Sequence, residues 1–170
     1  IVTKRISIIG ALNYGSYLYT NRPTATISAD NTAALLAQNK LIYLKNYHVG
    51  GAPEIVSSLG VRYNGKKNWF AGVYVNYFAN NYVTINPDRR SAEAIAKYLP
   101  SDPQIKQITD QEKLADTYTF DVMGGKSFTF KNNKRLNFSL IMNNITNNIF
   151  KTVGQEQVRH DVNNITKFPN

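Results

Sequence analysis

The feature that most constrains this chain is a two-residue alternation that persists through several long segments. A period of two sends successive side chains to opposite faces of an extended strand. From Ile55 to Tyr63, one face carries Ile55, Ser57, Leu59, Val61 and Tyr63, and the other carries Val56, Ser58, Gly60 and Arg62. Asn64-Gly65-Lys66-Lys67-Asn68 follows, a compact turn in which Asn-Gly is expected to supply positive φ. Beyond it Trp69, Ala71, Val73, Val75 and Tyr77 alternate with Phe70, Gly72, Tyr74 and Asn76. The pattern predicts a hairpin of strands 55–63 and 69–78.

The same plan recurs downstream. Tyr118, Phe120, Val122, Phe128 and Phe130 share a face against Thr119, Asp121, Ser127 and Thr129. Lys131-Asn132-Asn133-Lys134 makes the turn, and Leu136, Phe138, Leu140 and Met142 then alternate with Asn137, Ser139, Ile141 and Asn143. An earlier strand reads Ile6, Ile8, Gly10, Leu12 and Tyr14 against Arg5, Ser7, Ile9, Ala11 and Asn13. Lys126 is a misfit on the apolar face. Either its stem snorkels or a bulge at Gly124-Gly125 shifts the register.

Short and long connections alternate along the chain. Residues 64–68 and 131–134 are tight turns; 15–53 and 79–116 are long, and a third long segment begins near Asn147. Antiparallel strands joined this way have every short turn at one end and every long loop at the other. Within the loops, Ser91 is expected to cap a helix over Ala92–Leu99, stopped by Pro100. Leu41–Val49 is expected to add a strand.

Composition narrows the function classes. Hydrophobic residues make up 42% of the 170, too many for a disordered chain. The 21 Asn, 11 Tyr and 8 Phe suit turns and strands. Absence of cysteine excludes disulfides, thiolate metal sites and a Cys nucleophile. The formal charge of +9 raises nucleic acid as a partner. However, Lys66-Lys67, Lys131 and Lys134-Arg135 lie in or beside turns, and no RNP-like motif surrounds Phe128 and Phe130, so nucleic acid is not expected. No run approaches the roughly 18 apolar residues of a membrane helix, although barrel strands leave a far weaker signal. Ile1-Val2-Thr3-Lys4-Arg5 lacks the features of a signal peptide. The chain opens inside a strand and closes on Phe168-Pro169-Asn170, which reads as a segment of something longer.

No chemistry-bearing constellation stands out. The carboxylates Asp121, Glu54, Glu93, Glu112 and Glu156 form no acid–base pair at useful spacing. His48 and His160 have no ligand-like neighbours, and no nucleophile elbow, phosphate loop or zinc-protease helix is present. The chain is therefore not expected to be an enzyme, nor to hold a metal or cofactor. Arg89 and Arg90 in the second long loop are candidates for contact with a substrate or a capping protein, or else for anchoring the loop through carboxylates or carbonyls. Tyr47 and His48 are similar candidates in the first long loop. Tyr74, Asn76, Asn137 and Asn143 on the polar face are candidates for lining a permeation path, or else satisfy one another.

Two folds accommodate the alternation. In a secreted β-sandwich adhesin or glycan-binding module the apolar face is the core; in an outer-membrane barrel it meets lipid and the polar face lines a wet lumen. Strands of about 9–13 residues, the loop asymmetry, and aromatics such as Tyr63, Trp69 and Phe130 beside the turns favour the barrel. An outer-membrane hydrolase would need a carboxylate or Ser/His cluster near the loop mouths, which is not found. The expected fold is all-β: antiparallel up-and-down strands forming an arc of a large transmembrane barrel.

A family resemblance points the same way. Asn46-Tyr47-His48-Val49-Gly50-Gly51-Ala52-Pro53, Ser58-Leu59-Gly60-Val61-Arg62-Tyr63, Trp69-Phe70-Ala71-Gly72 and Asn76-Tyr77-Phe78 resemble the C-terminal barrel of SusC/RagA-type TonB-dependent transporters of Bacteroidetes. Asn86-Pro87-Asp88-Arg89-Arg90, Gly125-Lys126-Ser127, Asn143-Asn144-Ile145-Thr146-Asn147 and Gly154-Gln155-Glu156-Gln157-Val158-Arg159 continue the series in the family's order, from about residue 40 onward. The resemblance implies a barrel of about 22 strands with a plug, import energised through TonB, a SusD-type surface lipoprotein as lid, and a glycan or peptide oligomer as substrate. It also implies that residues 1–170 are the C-terminal part of the barrel, without the plug, the TonB-contacting segment and the final strand.

Overall fold

A computed structural model describes residues 5–28, 32–132 and 134–156, and the backbone of 165–169. The chain divides into two compact units. One comprises Ile1–Gly15, Glu54–Asn80 and Ala115–Phe150; the other comprises Ser16–Pro53, Asn81–Leu114 and Lys151–Asn170.

The first unit is a five-stranded antiparallel sheet in the order β1-β4-β5-β6-β7. Its strands are β1 (Ile6–Tyr14), β4 (Pro53–Asn64), β5 (Trp69–Asn81), β6 (Thr117–Thr129) and β7 (Arg135–Met142), so each alternating segment forms the strand expected of it. The register keeps the faces aligned across the sheet. Leu12 pairs with Ser57 and Ile8 with Val61, Val73 with Val122 and Val75 with Phe120, and Val122 with Met142 and Lys126 with Phe138. One face is therefore apolar from β1 to β7, because a slip of one residue anywhere would turn a whole strand over.

Lys126 sits in an unbroken ladder, opposite Trp69 and Phe138. No bulge rescues it. Its ammonium instead lies 5.0 Å from the ring centroid of Phe128, two residues on along the same face, so the snorkelling alternative holds.

The 64–68 turn departs from expectation. Positive φ falls on Lys67 (64°) and Asn68 (58°) and not on Asn64-Gly65. Gly65 is required for a different reason: a β-carbon there would come within 2.0 Å of the Trp69 indole, while its amide donates to Trp69 O at 2.8 Å. After β7, the asparagine-rich stretch folds back on the start of β6. Asn144 N donates to Asp121 Oδ1 at 2.8 Å, and Asn148 Nδ2 donates to Thr117 Oγ1 at 3.1 Å and Tyr118 O at 2.9 Å. Asn144 and Asn147 adopt the left-handed conformation that these bends need.

The second unit contains two small antiparallel pairs. β2 (Thr24–Ser28) pairs with β3 (Leu35–Leu41), and β8 (Lys151–Glu156) with β9 (Ile165–Pro169). The extra strand expected over Leu41–Val49 is thus placed earlier, ending at Leu41. Residues 42–49 make isolated bridges, Ile42 with Ser91 and His48 with Leu18, because Asn46 at φ 71° breaks the extended run. Ser91 caps a helix as expected, but α1 is only Ala92–Ile95. Leu99 is exposed, so no apolar contact holds further turns. A second helix, α2 (Pro103–Thr109), was not expected. It is announced by the cap Asp102 and by Pro103 in its first turn. The buried apolar residues of this unit include Ile42, Leu44, Val83, Ile108 and Leu114.

Candidate functional site

The two faces of the five-stranded sheet differ in exposure. On the apolar face Leu59 is 60% exposed, Val73 50%, Phe138 61% and Leu140 65%. Leu12, Tyr14, Tyr118 and Met142 on the same face are exposed too. No second layer covers these side chains among the described residues.

The polar face is the better packed one on β4, β5 and β6, whereas β7 is exposed on both faces and β1 over most of its length. Ser58 Oγ donates to Asn76 Oδ1 at 2.7 Å. Asn76 Nδ2 in turn donates to Thr119 Oγ1 at 3.1 Å and Asp121 Oδ2 at 2.7 Å. Asn76 thus joins β4, β5 and β6 across one row, and Asp121 carries the row on to Asn144. The rings of this face lie over glycines. Tyr74 covers Gly60, where a β-carbon would approach to 2.2 Å, and Phe70 covers Gly125, where it would approach to 2.6 Å. Arg62 stacks on Phe70 at 4.2 Å. Gly60 and Gly125 therefore admit aromatic rings.

A cleft of about 310 Å³ opens at the short-turn end of this face. It is lined by Arg62, Asn64, Trp69, Phe70, Ser127 and Arg135. The sequence shows these residues singly; only the register brings Arg62 on β4 and Arg135 on β7 to the same end of one face.

The expected contact residues do not form one site. Tyr74 and Asn76 belong to the packed polar row just described. Asn137 and Asn143 are exposed on and beyond β7. In the second unit, His48 stacks on Tyr82 with centroids 3.7 Å apart. The His48 main chain is clamped by Gln111, which accepts from its N–H at 2.9 Å and donates to its carbonyl at 2.8 Å. Tyr47 lies under the Arg90 guanidinium at 4.7 Å.

Arg89 and Arg90 are each 1% exposed. Arg90 is held by both carboxylate oxygens of the equally buried Glu156, with its Nη2 2.6 Å from Oε1. Arg89 Nε donates to Ile108 O at 3.2 Å. The anchoring alternative describes this geometry: the pair pins its short 3-10 turn, Pro87–Arg90, to α2 and β8. Beside it, Lys40 bonds Asp88 at 2.5 Å and lies 3.6 Å from Glu93. Burial pulls the Lys40 ammonium down, but the hydrogen bond and charge of Asp88 outweigh this and hold it above the ordinary lysine value. A backbone hydrogen bond, aided by Lys40, holds the Glu93 carboxyl below its ordinary value.

No group of three metal-ligating side chains occurs among the described residues. No helix among them is long and apolar enough to cross a membrane, a statement that does not bear on strands. A scan against protein-family models finds no match, and no curated protein and no solved structure matches the chain.

Proposed function

We propose that the five-stranded sheet is an arc of an outer-membrane barrel wall in a SusC/RagA-type TonB-dependent nutrient importer. The observation that carries this reading is the inverted exposure of the central strands: on β4, β5 and β6 the apolar face is open while the polar face is packed and hydrogen-bonded. Apolar patches of this extent are costly in water, at about 25 cal/mol per Å². Acyl chains remove that cost. Strands of 12–13 residues such as β4, β5 and β6, rising about 3.3 Å per residue and tilted by about 40°, span about 30 Å. The free edges of β1 and β7 would pair with the remaining wall, since only a closed sheet satisfies its backbone in hydrocarbon.

In this reading the wall does no covalent chemistry. The short turns face the periplasm. The long segments face outward, toward a SusD-type lipoprotein lid and a glycan or peptide oligomer, and TonB acts through a plug outside residues 1–170. The family assignment rests on the ordered motifs quoted above; the membrane assignment rests on exposure, strand length and loop asymmetry.

Because the chain has no native cysteine, single-cysteine labelling tests the membrane assignment cleanly. With the complete barrel that this arc belongs to in lipid vesicles, Leu140→Cys should resist a water-soluble maleimide and Asn137→Cys should react. Equal labelling at both sites, with full solubility in the absence of detergent, overturns the reading and favours the secreted β-sandwich module.

A further inference from the structure

The cleft beside the 64–68 turn is a site of a specific chemical kind. It is lined by two guanidinium groups, Arg62 and Arg135, and by no carboxylate. Arg62 spends its Nε on Asn64 Oδ1 at 3.2 Å and rests its plane on the Phe70 ring. Among the described residues its terminal nitrogens have no partner, and Arg135 has none. Asn64 and Ser127 add neutral hydrogen-bonding groups around the same space, and Trp69 lines it too. Arg62 is half-buried and Arg135 exposed, whereas the buried Arg90 is neutralised by Glu156. Two like charges facing one cleft without a counter-charge mark a place for an oxyanion, and the guanidinium fork matches carboxylate and phosphate oxygens in a bidentate way.

The strand register explains how the cleft arises. Gly125 opposes Phe70 and leaves room for its ring. Ser127 opposes Asn137, and Thr129 opposes Arg135, so Ser127 and Arg135 share the polar face with Phe70 and Arg62. The stacking on Phe70 holds one guanidinium in place, so part of the ordering cost of binding is met beforehand.

We infer that this cleft binds an oxyanion, the carboxylate or phosphate group of a ligand, between Arg62 and Arg135. The inference concerns the polar face and holds whichever medium meets the apolar one.

Trp69 is the single tryptophan of the chain and lines the cleft, so its emission reports occupancy. The full chain in a non-ionic detergent is titrated with citrate, with inorganic phosphate and with chloride at matched ionic strength, by tryptophan emission and by calorimetry in parallel. Citrate or phosphate should give saturable binding that chloride does not; whichever is tighter assigns carboxylate or phosphate. Arg62→Gln and Arg135→Gln should each raise the half-saturating concentration at least tenfold, while Lys131→Gln, outside the cleft, leaves it unchanged. Because Arg135 is exposed, its replacement does not threaten folding. No heat and no emission change with either anion, a response equal to chloride's, or unchanged affinity in both arginine variants overturns the inference.

Discussion

The ring of Tyr74 lies directly across Gly60, so close that a β-carbon on Gly60 would come within 2.2 Å of Cδ1. This contact shows why a glycine interrupts an otherwise alternating strand, and its consequence can be measured. Gly60→Ala should destabilise the sheet by about 1–3 kcal/mol, the usual cost of overpacking. The cost should shrink when Tyr74→Ala is combined with it, and a double-mutant cycle of denaturation midpoints measures the coupling.

Gly124 and Gly125 provide a sharper contrast between adjacent residues. A β-carbon at Gly125 would meet Phe138 O at 2.5 Å as well as the Phe70 ring, whereas at Gly124 the nearest contact is Phe70 O at 3.6 Å. Gly125→Ala should therefore impair assembly severely, because a backbone carbonyl in a ladder cannot move aside. Gly124→Ala should be nearly silent. The folded yield after refolding, assayed by resistance to protease, separates the two.

Leu140 is mostly exposed, so an arginine there would be nearly neutral if the face met water. Against acyl chains the cost should be about 2–4 kcal/mol at mid-depth. Leu140→Arg is therefore expected to reduce assembly in vesicles strongly while Asn137→Ala remains mild. Equal tolerance at the two positions would contradict a lipid-facing apolar surface.

Glu156 is the counter-charge that makes two buried arginines tolerable. Glu156→Gln should destabilise the second unit by about 3–5 kcal/mol, since it leaves Arg90 buried without its partner. Chemical denaturation followed by tyrosine circular dichroism would show it. A shift of a few tenths of a kcal/mol would mean that water reaches the pair.

The Lys40, Asp88 and Glu93 cluster predicts a pH window. The folded Lys40 value is raised, so its contribution is complete below the unfolded value of about 10.4 and is lost as pH rises through the folded value. The folded Glu93 value is lowered, so its contribution is present above about 4.3 and is lost as pH falls through the folded value. Melting temperatures should sag at both extremes, and Lys40→Met should flatten the alkaline limb. An unchanged alkaline limb in that variant would show that the cluster adds nothing.

What the sequence by itself determined is everything that a period of two can carry. Ile55–Tyr63 and Trp69–Tyr77 announce their strand, their faces and their hairpin locally, and Ser91 announces its helix through one side chain. The parity of the register follows from the same pattern, since any odd slip would mix Leu59 or Phe138 into the polar row. Tertiary structure alone decided what distant segments do together. Arg90 and Glu156 stand 66 residues apart and meet only once the chain is folded, so in the sequence Arg90 read equally well as a contact residue or an anchor. Arg62 and Arg135 likewise become one cleft only when β4 and β7 enter the same sheet. Gly65, legible as a turn residue, proved to be needed for the Trp69 ring. Alternation is a property of neighbours along the chain. Charge pairing, ring-on-glycine contacts and clefts are properties of neighbours in space, which short-range pattern does not encode.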